Sequence, residues 1–369
     1  MLNWRDPRNP RTGGAERVTQ GYLGALAERG HDVYWYAYDF ERAEPEEEFG
    51  GVRVVRGGGM GTSILEAVAW SRSQPPFDLV IDQHHGIPWY APWWCGTRCV
   101  AYIHEVLGPI WTSFYPWPFS LAGQLQERWT HWLYRNVPFW TASRFTRLLL
   151  KRNGVRQVQI IPYGVATAAL PELDEKPLAQ PLRLVTVSRL APNKRVDHAL
   201  GAVRCLLDRG VAVRLHVVGT GESEALLRCL SAALRLEDAV IFNGPLSEAE
   251  KDRLLMRSHF LLHTSLREGW GLNVIEANAL GTPAAVYPVA GLTESTIHGR
   301  TGLVARAERP ECLAELLVGI LPDPGKYQQL RRRAWERSKN LHWSKVLPRA
   351  CDWLERQASG TNAVRVDGT

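Results

Sequence analysis

Cysteine is scarce in this chain of 369 residues, long apolar runs are missing, and its opening strand is short. Each shortage removes a class of protein. The six cysteines, Cys95, Cys99, Cys205, Cys229, Cys312 and Cys351, are scattered. Cys95 and Cys99 lack a second ligand pair at zinc-like spacing, so a disulfide framework or zinc ribbon is excluded and the thiols read as reduced. No apolar run approaches the eighteen or so residues that span a bilayer, and no signal peptide is recognisable. A cytoplasmic location is the expectation. Nucleic-acid-binding modules are missing too. A dinucleotide oxidoreductase would show GxGxxG after its first strand and an acid about twenty residues on; here there is only Gly13-Gly14. Before that turn Met1-Leu2-Asn3-Trp4 is too short for a normal strand of about five residues. A clipped first strand, a weakened N-terminal domain and two exposed neighbouring edges are expected.

What is present points to an α/β enzyme. The length suits two domains, each with its own core, and a formal charge of +6 favours anionic partners. The organising stretch begins with the apolar run Phe260-Leu261-Leu262-His263, which reads as a buried parallel strand. Gly269 and Gly271 then let the backbone turn and approach a ligand. From Leu272 the spacing of Leu272, Ile275, Ala279 and Leu280 is helical, and Gly281-Thr282-Pro283 stops it. The N–H groups of Trp270, Gly271, Leu272 and Asn273 therefore lie at a positive helix end, a seat for phosphate or a sugar oxygen. Glu268 and Glu276, with seven residues between them, are not an acid/base couple on one face; each can accept hydrogen bonds from a different hydroxyl of one elongated ligand. Arg189 and Lys194 flank another strand–helix loop, close enough to reach one diphosphate, arginine as a fork and lysine as a point charge.

The segment EGWGLNVIEA, followed by GTPAAVYPVAGLTESTIHGRTGLV, resembles the donor-site signature of retaining family-four glycosyltransferases, the group 1 glycosyl transferases of the GT-B fold. PRTGGAERV and LAERGHDV near the start add to the likeness. The resemblance implies an α/β chain of two doubly wound Rossmann-like domains facing across a cleft. Carried over, Glu268 contacts the donor sugar and Glu276 the nucleotide ribose. Arg189 and Lys194 neutralise the leaving diphosphate, which Gly13 and Gly14 approach. His104 stands near the donor sugar, and the strand ending at Gly244 borders the base pocket. Tyr163 departs from the family, where asparagine is commoner. The implied domains are residues 1–165 and 182–342, with a linker over 166–181. A helix over 343–358 crosses back, and 359–369 is a disordered tail. The implied reaction is retaining and metal-independent, needs no cofactor, and moves a sugar from a nucleotide-sugar donor to a sugar or lipid-linked acceptor in cell-envelope polysaccharide or glycolipid assembly. An epimerase or phosphorylase of the same fold, the latter with a pyridoxal-type lysine site not found here, and a non-catalytic sugar-nucleotide binder or scaffold remain alternatives.

Two features stand outside that pattern. Trp111, Phe114, Tyr115, Trp117 and Phe119 crowd a stretch interrupted by Pro116 and Pro118, which reads as a loop and not a regular helix. It could stack on sugar or dip into a membrane interface. An amphipathic helix over Gln124–Asn136 with Arg128, His131 and Arg135 follows, so peripheral contact with the inner face of the cell membrane is a further expectation. The adjacent His84 and His85 diverge on an extended chain, so no metal is expected there.

Overall fold

The computed structural model describes residues 1–10, 12–59, 61–84 and 86–360; the side chains of 109, 113 and 114 lie outside the description. His85 and the tail beyond Gly360 therefore lie outside the described residues. The chain divides into two compact units, Met1–Gly164 with the segment from Trp343 onward, and Val165–His342.

In the first unit the elements run α1 (Gly14–Glu28), β1 (Val33–Ala37), β2 (Glu46–Phe49), β3 (Val52–Arg56), α2 (Ser63–Ser73), β4 (Leu79–His84) and β5 (Arg98–Ile103). They continue as α3 (Trp111–Phe114), α4 (Phe119–Leu133), β6 (Phe139–Thr141), α5 (Arg144–Arg152) and β7 (Val158–Ile160). One sheet runs β1-β3-β2 and another β4-β5-β6-β7, parallel except for the antiparallel β2 edge.

The opening residues form no strand of their own, as expected, but they correct the expectation of two exposed neighbouring edges. Leu2 bridges Tyr36 on one side and Asp82 on the other. Leu2 N donates to Ile81 O at 2.8 Å and Gln83 N to Leu2 O at 3.0 Å, while Tyr36 N donates to Met1 O at 2.8 Å. Three residues thus join the two sheets at the centre. Leu2 is buried, packing with Tyr36, Val80 and Trp89, so its side chain fills part of the slot that a longer strand would fill.

The second unit runs β8 (Leu182–Val187), α6 (Val196–Asp208), β9 (Val213–Val218), α7 (Glu224–Ala233), β10 (Val240–Gly244), α8 (Glu248–Arg257), β11 (Phe260–His263) and α9 (Leu272–Ala279). It closes with β12 (Ala284–Val286), α10 (Ala290–Ser295), β13 (Gly302–Val304), α11 (Pro310–Ile320) and α12 (Pro324–Ser338). Its parallel sheet has the order β10-β9-β8-β11-β12-β13. Chain direction across the sheet therefore reverses between β8 and β11, and doubly wound sheets open a crevice at the carboxyl ends of such strands. All four residues of β11 are buried, as a strand covered by helices on both faces requires.

The stretch 166–181, read as a linker, lies against the second unit. Leu170 N donates to Ala279 O at 3.0 Å, and Trp335 Nε1 to Leu170 O at 2.9 Å. A last helix, α13 (Trp343–Ser359), returns to the first unit. There Arg29 pairs with Asp352 at 2.8 Å and Glu355 at 3.0 Å.

The aromatic stretch also differs from the sequence reading. It is not one loop: a 3-10 turn, Gly108–Ile110, leads into α3, and α4 begins at Phe119 rather than near Gln124. Pro116 and Pro118 fall before and at the start of α4, where a missing N–H costs nothing. Their carbonyls accept from Ser120 N at 3.1 Å and Ala122 N at 3.0 Å.

Candidate active site

The loops leaving β8 and β11 are stitched together at the switch point. Leu266 N donates to Asn193 O at 2.9 Å, and Thr264 Oγ1 reaches Lys194 O at 3.1 Å and Arg195 O at 2.7 Å. Asn273 Nδ2 donates to Val187 O at 2.8 Å, so the first turn of α9 is anchored to the end of β8. The same weave runs outward along the sheet. Leu190 N donates to Thr220 O at 2.8 Å, and Gly219 N to Gly244 O at 2.8 Å. Gly244 thus belongs to the rim formed by the exits of β8, β9 and β10.

At the turn into α9, Gly271 has φ +87°, a backbone state that a side chain would strain, and it caps the helix. Behind the turn a Cβ on Gly291 would stand 2.2 Å from Glu268 O, so α10 presses directly on the loop backbone. Leu272 and Asn273 then open a helix of eight residues with their N–H groups at its positive end.

Glu268 Oε2 lies 2.7 Å from Lys194 Nζ and 3.4 Å from His263 Nε2. The Lys194 and Glu268 side chains are 22% and 21% exposed, open enough for a ligand to compete for either. Burial by itself would push the Glu268 carboxyl up; Lys194 and His263 outweigh it and hold the group down at about 2. Arg189 is exposed in the loop after β8. Glu276, one turn into α9, is buried and pairs with Lys251 Nζ at 2.9 Å, which also pairs with Glu248 at 2.6 Å. Burial pushes the Lys251 ammonium down, but Glu276 and Glu248 win and hold it above the ordinary lysine range.

Within the second unit the fold therefore gathers Arg189, Lys194, Glu268, the 269–273 turn and Glu276 along adjacent strand exits. Sequence reasoning missed His263 and Lys251. A histidine ending an otherwise apolar strand directly before the glycine turn was the available signal for the first. The second stands three residues from Glu248 on α8, a spacing that predicts that pair but not the one to Glu276.

The other proposed residues lie in the first unit. His104 follows β5, with Nε2 2.9 Å from Gln83 Nε2 and Nδ1 against the Tyr163 hydroxyl. Gly13 caps α1, its N–H donating to Glu16 Oε2 at 2.8 Å, and Gly14 opens that helix. His84 is buried with its ring against Tyr134 and Phe139, a packed core position.

Residues 172–337 match the family model described as glycosyl transferases group 1, and residues 12–169 match that of glycosyltransferase family 4. The chain belongs to the group 1 glycosyl transferases. Among relatives of this group 1 chain, glycogen synthase of Mycobacterium tuberculosis is 29% identical over 194 residues, covering 52% of this chain and 47% of that protein. D-inositol 3-phosphate glycosyltransferase of Acidothermus cellulolyticus is 30% identical over 208 residues, covering 52% and 46%. The chain thus spans about half the length of these curated relatives. Among solved structures, Anabaena HepE in complex with UDP superposes with a TM-score of 0.74 at 16% identity, covering 96% of this chain and 98% of that one. Sucrose-phosphate synthase of Thermosynechococcus elongatus gives 0.74 at 18%, covering 95% of each. The fold of this group 1 chain is GT-B.

Proposed function

We propose that this protein is a retaining, metal-independent glycosyltransferase. It moves a sugar from a nucleotide-sugar donor to a hydroxyl of a sugar or lipid-linked acceptor in cell-envelope polysaccharide or glycolipid assembly. The observation that carries the reading is the stitching of the Arg189–Lys194 loop to the Glu268–Gly271 loop at the switch point of the second unit.

Departure of a nucleoside diphosphate leaves positive charge on the sugar ring and negative charge on the phosphates at once, so the site must stabilise both. Lys194, Arg189 and the N–H groups at the start of α9 take the diphosphate. Glu268 takes sugar hydroxyls and Glu276 the ribose, while Gly244 lies on the rim assigned to the base. The family resemblance assigns His104 to the sugar and Gly13 and Gly14 to the diphosphate. Attack comes from the face the phosphate leaves, and the departing phosphate oxygen takes the acceptor proton. Supporting the reading are the family matches over both halves of the chain and the charge pairing at Lys194 and Glu268.

The test is a panel of nucleotide sugars with the purified protein, first for thermal stabilisation and then for release of nucleoside diphosphate in the presence of a chelator. Stabilisation with turnover, and retained anomeric configuration in the product, support the proposal. Stabilisation with no turnover across acceptors would make the protein a sugar-nucleotide binder. Turnover abolished by chelator would overturn metal independence.

A further inference from the structure

Helix α4 is built inside out. Its buried residues include Ser120, Glu127, Thr130 and His131. The Glu127 carboxylate accepts from Leu107 N and Gly108 N at 2.6 Å each, and His131 Nδ1 lies 2.9 Å from Asn153 Nδ2. Its exposed side carries Phe119, Leu121, Leu125, Trp129 and Trp132, with Trp129 53% and Trp132 52% exposed. Leu121, Leu125, Trp129 and Trp132 recur at helical spacing, so they form one stripe. Trp117, 79% exposed, continues it just before the helix. A helix on a water-facing surface turns its apolar stripe inward; this one satisfies its polar side within the protein and offers the apolar side to the surroundings.

The net charge of the chain falls in the same region. Residues 106–171 hold seven of the 44 Lys and Arg, namely Arg128, Arg135, Arg144, Arg147, Lys151, Arg152 and Arg156, and one of the 38 Asp and Glu, the buried Glu127. That leaves 37 of each sign elsewhere, so the whole formal charge of +6 resides here. Arg128 is exposed within the α4 stripe, and the Arg135 guanidinium lies 4.3 Å from the Trp132 ring. Arg156 N donates to Arg135 O at 2.9 Å, which ties the end of α5 to the end of α4. Helix α5 has no acid and exposes Arg144, Phe145, Arg147, Leu148, Lys151 and Arg152.

We propose that this face of α4 and α5 docks on an anionic lipid bilayer, with the tryptophan–leucine stripe entering the interface and the arginines meeting headgroup phosphates. Apolar side chains on one helix side and basic residues bordering them are the pattern of a helix lying in the plane of a membrane. Tryptophan is suited to that depth, with an apolar ring and a polar N–H. A second copy of this chain is disfavoured as occupant, because two such faces would bring like charges together. The inference stands apart from the transfer reaction and needs no step of it.

The experiment is flotation of the whole protein with vesicles of equal parts phosphatidylcholine and phosphatidylglycerol, against pure phosphatidylcholine. It is run at low salt, where the screening length is about 30 Å, and at physiological salt, where it is about 8 Å. Wild type should float with the anionic vesicles and more weakly as salt rises. Arg147→Gln, Lys151→Gln and Arg152→Gln together should lower the partition coefficient on the order of 100-fold, at roughly one factor of five per charge. Trp129→Ser with Trp132→Ser should release the protein at both salts. These positions are exposed, so melting temperature and nucleoside diphosphate affinity should stay at wild-type values, which separates lost docking from lost folding or donor binding. Wild type remaining soluble with anionic vesicles, or floating equally with neutral ones, overturns the proposal. So does a dimer in solution that Trp129→Ser with Trp132→Ser returns to monomer while flotation is absent, since the face would then serve a second copy.

Discussion

Lys194 Nζ is held 2.7 Å from Glu268 Oε2, so the cation assigned to the leaving diphosphate is paired with the carboxylate assigned to the sugar. Each neutralises the other until a ligand bearing both a diphosphate and hydroxyls offers the two of them better partners. The pair also sets a dependence on acidity. The Glu268 carboxyl titrates at about 2 in the folded protein against an ordinary value of 4.5. Its contribution to stability is therefore complete above about 4.5 and is lost as pH falls through 2. Denaturant unfolding from pH 5 to 2 should show a fall in stability that Glu268→Gln lacks in part. Identical pH profiles for the two proteins would refute the coupling.

Arg189→Ala and Lys194→Ala should each lower transfer on the order of 10²-fold or more, the usual cost of removing one charge-stabilising contact. Circular dichroism should remain that of the wild type. A folded variant with near-wild-type turnover would remove that residue from the diphosphate site.

Glu276→Ala should weaken binding of free nucleoside diphosphate and also destabilise the second unit by about 2 kcal/mol, because buried Lys251 loses a partner and keeps only Glu248. Adding Lys251→Met should restore stability without restoring affinity. Calorimetry that finds wild-type affinity in Glu276→Ala would end the ribose assignment; affinity recovered in the double variant would show that Glu276 acts only through packing.

Lys176 gives a second pH effect, of the same sign but in a higher pH window. Its Nζ donates to Ser258 O at 2.8 Å and Thr282 Oγ1 at 2.9 Å. Burial, with Arg331 and Arg183 nearby, pushes the ammonium down to about 6 from 10.5. Between those values the unfolded chain holds a proton that the folded chain has released, so stability rises with pH across that window. Lys176→Met should flatten the rise measured between pH 7 and 9. An unchanged slope would mean that the lysine stays charged in the folded protein.

Much of the architecture could be read from local pattern. An apolar run leading to a glycine turn placed β11, the strand–helix loop of Arg189 and Lys194 placed β8, and the Leu272–Ala279 spacing placed α9, because a strand–turn–helix unit is encoded within about twenty residues. The miss at Leu2 had another origin. Its pairing is made with two neighbours, Tyr36 and Asp82, that are distant in sequence, so no local pattern around Leu2 announces it. Pro116 and Pro118 misled because proline forbids a helix interior but suits a helix start. In the candidate site, charge type and loop position were legible at Arg189, Lys194 and Glu268. The contact between Lys194 and Glu268 was not, since it depends on β8 and β11 being adjacent in the sheet.

Gly291 carries a consequence for genetics. A single added methyl there would meet the Glu268 carbonyl at 2.2 Å and force the loop to move, with no charge altered and no residue of the donor site replaced. Such an allele would shift the loop that carries the carboxylate assigned to the sugar, and so would probe the position of that loop apart from the identity of any side chain on it.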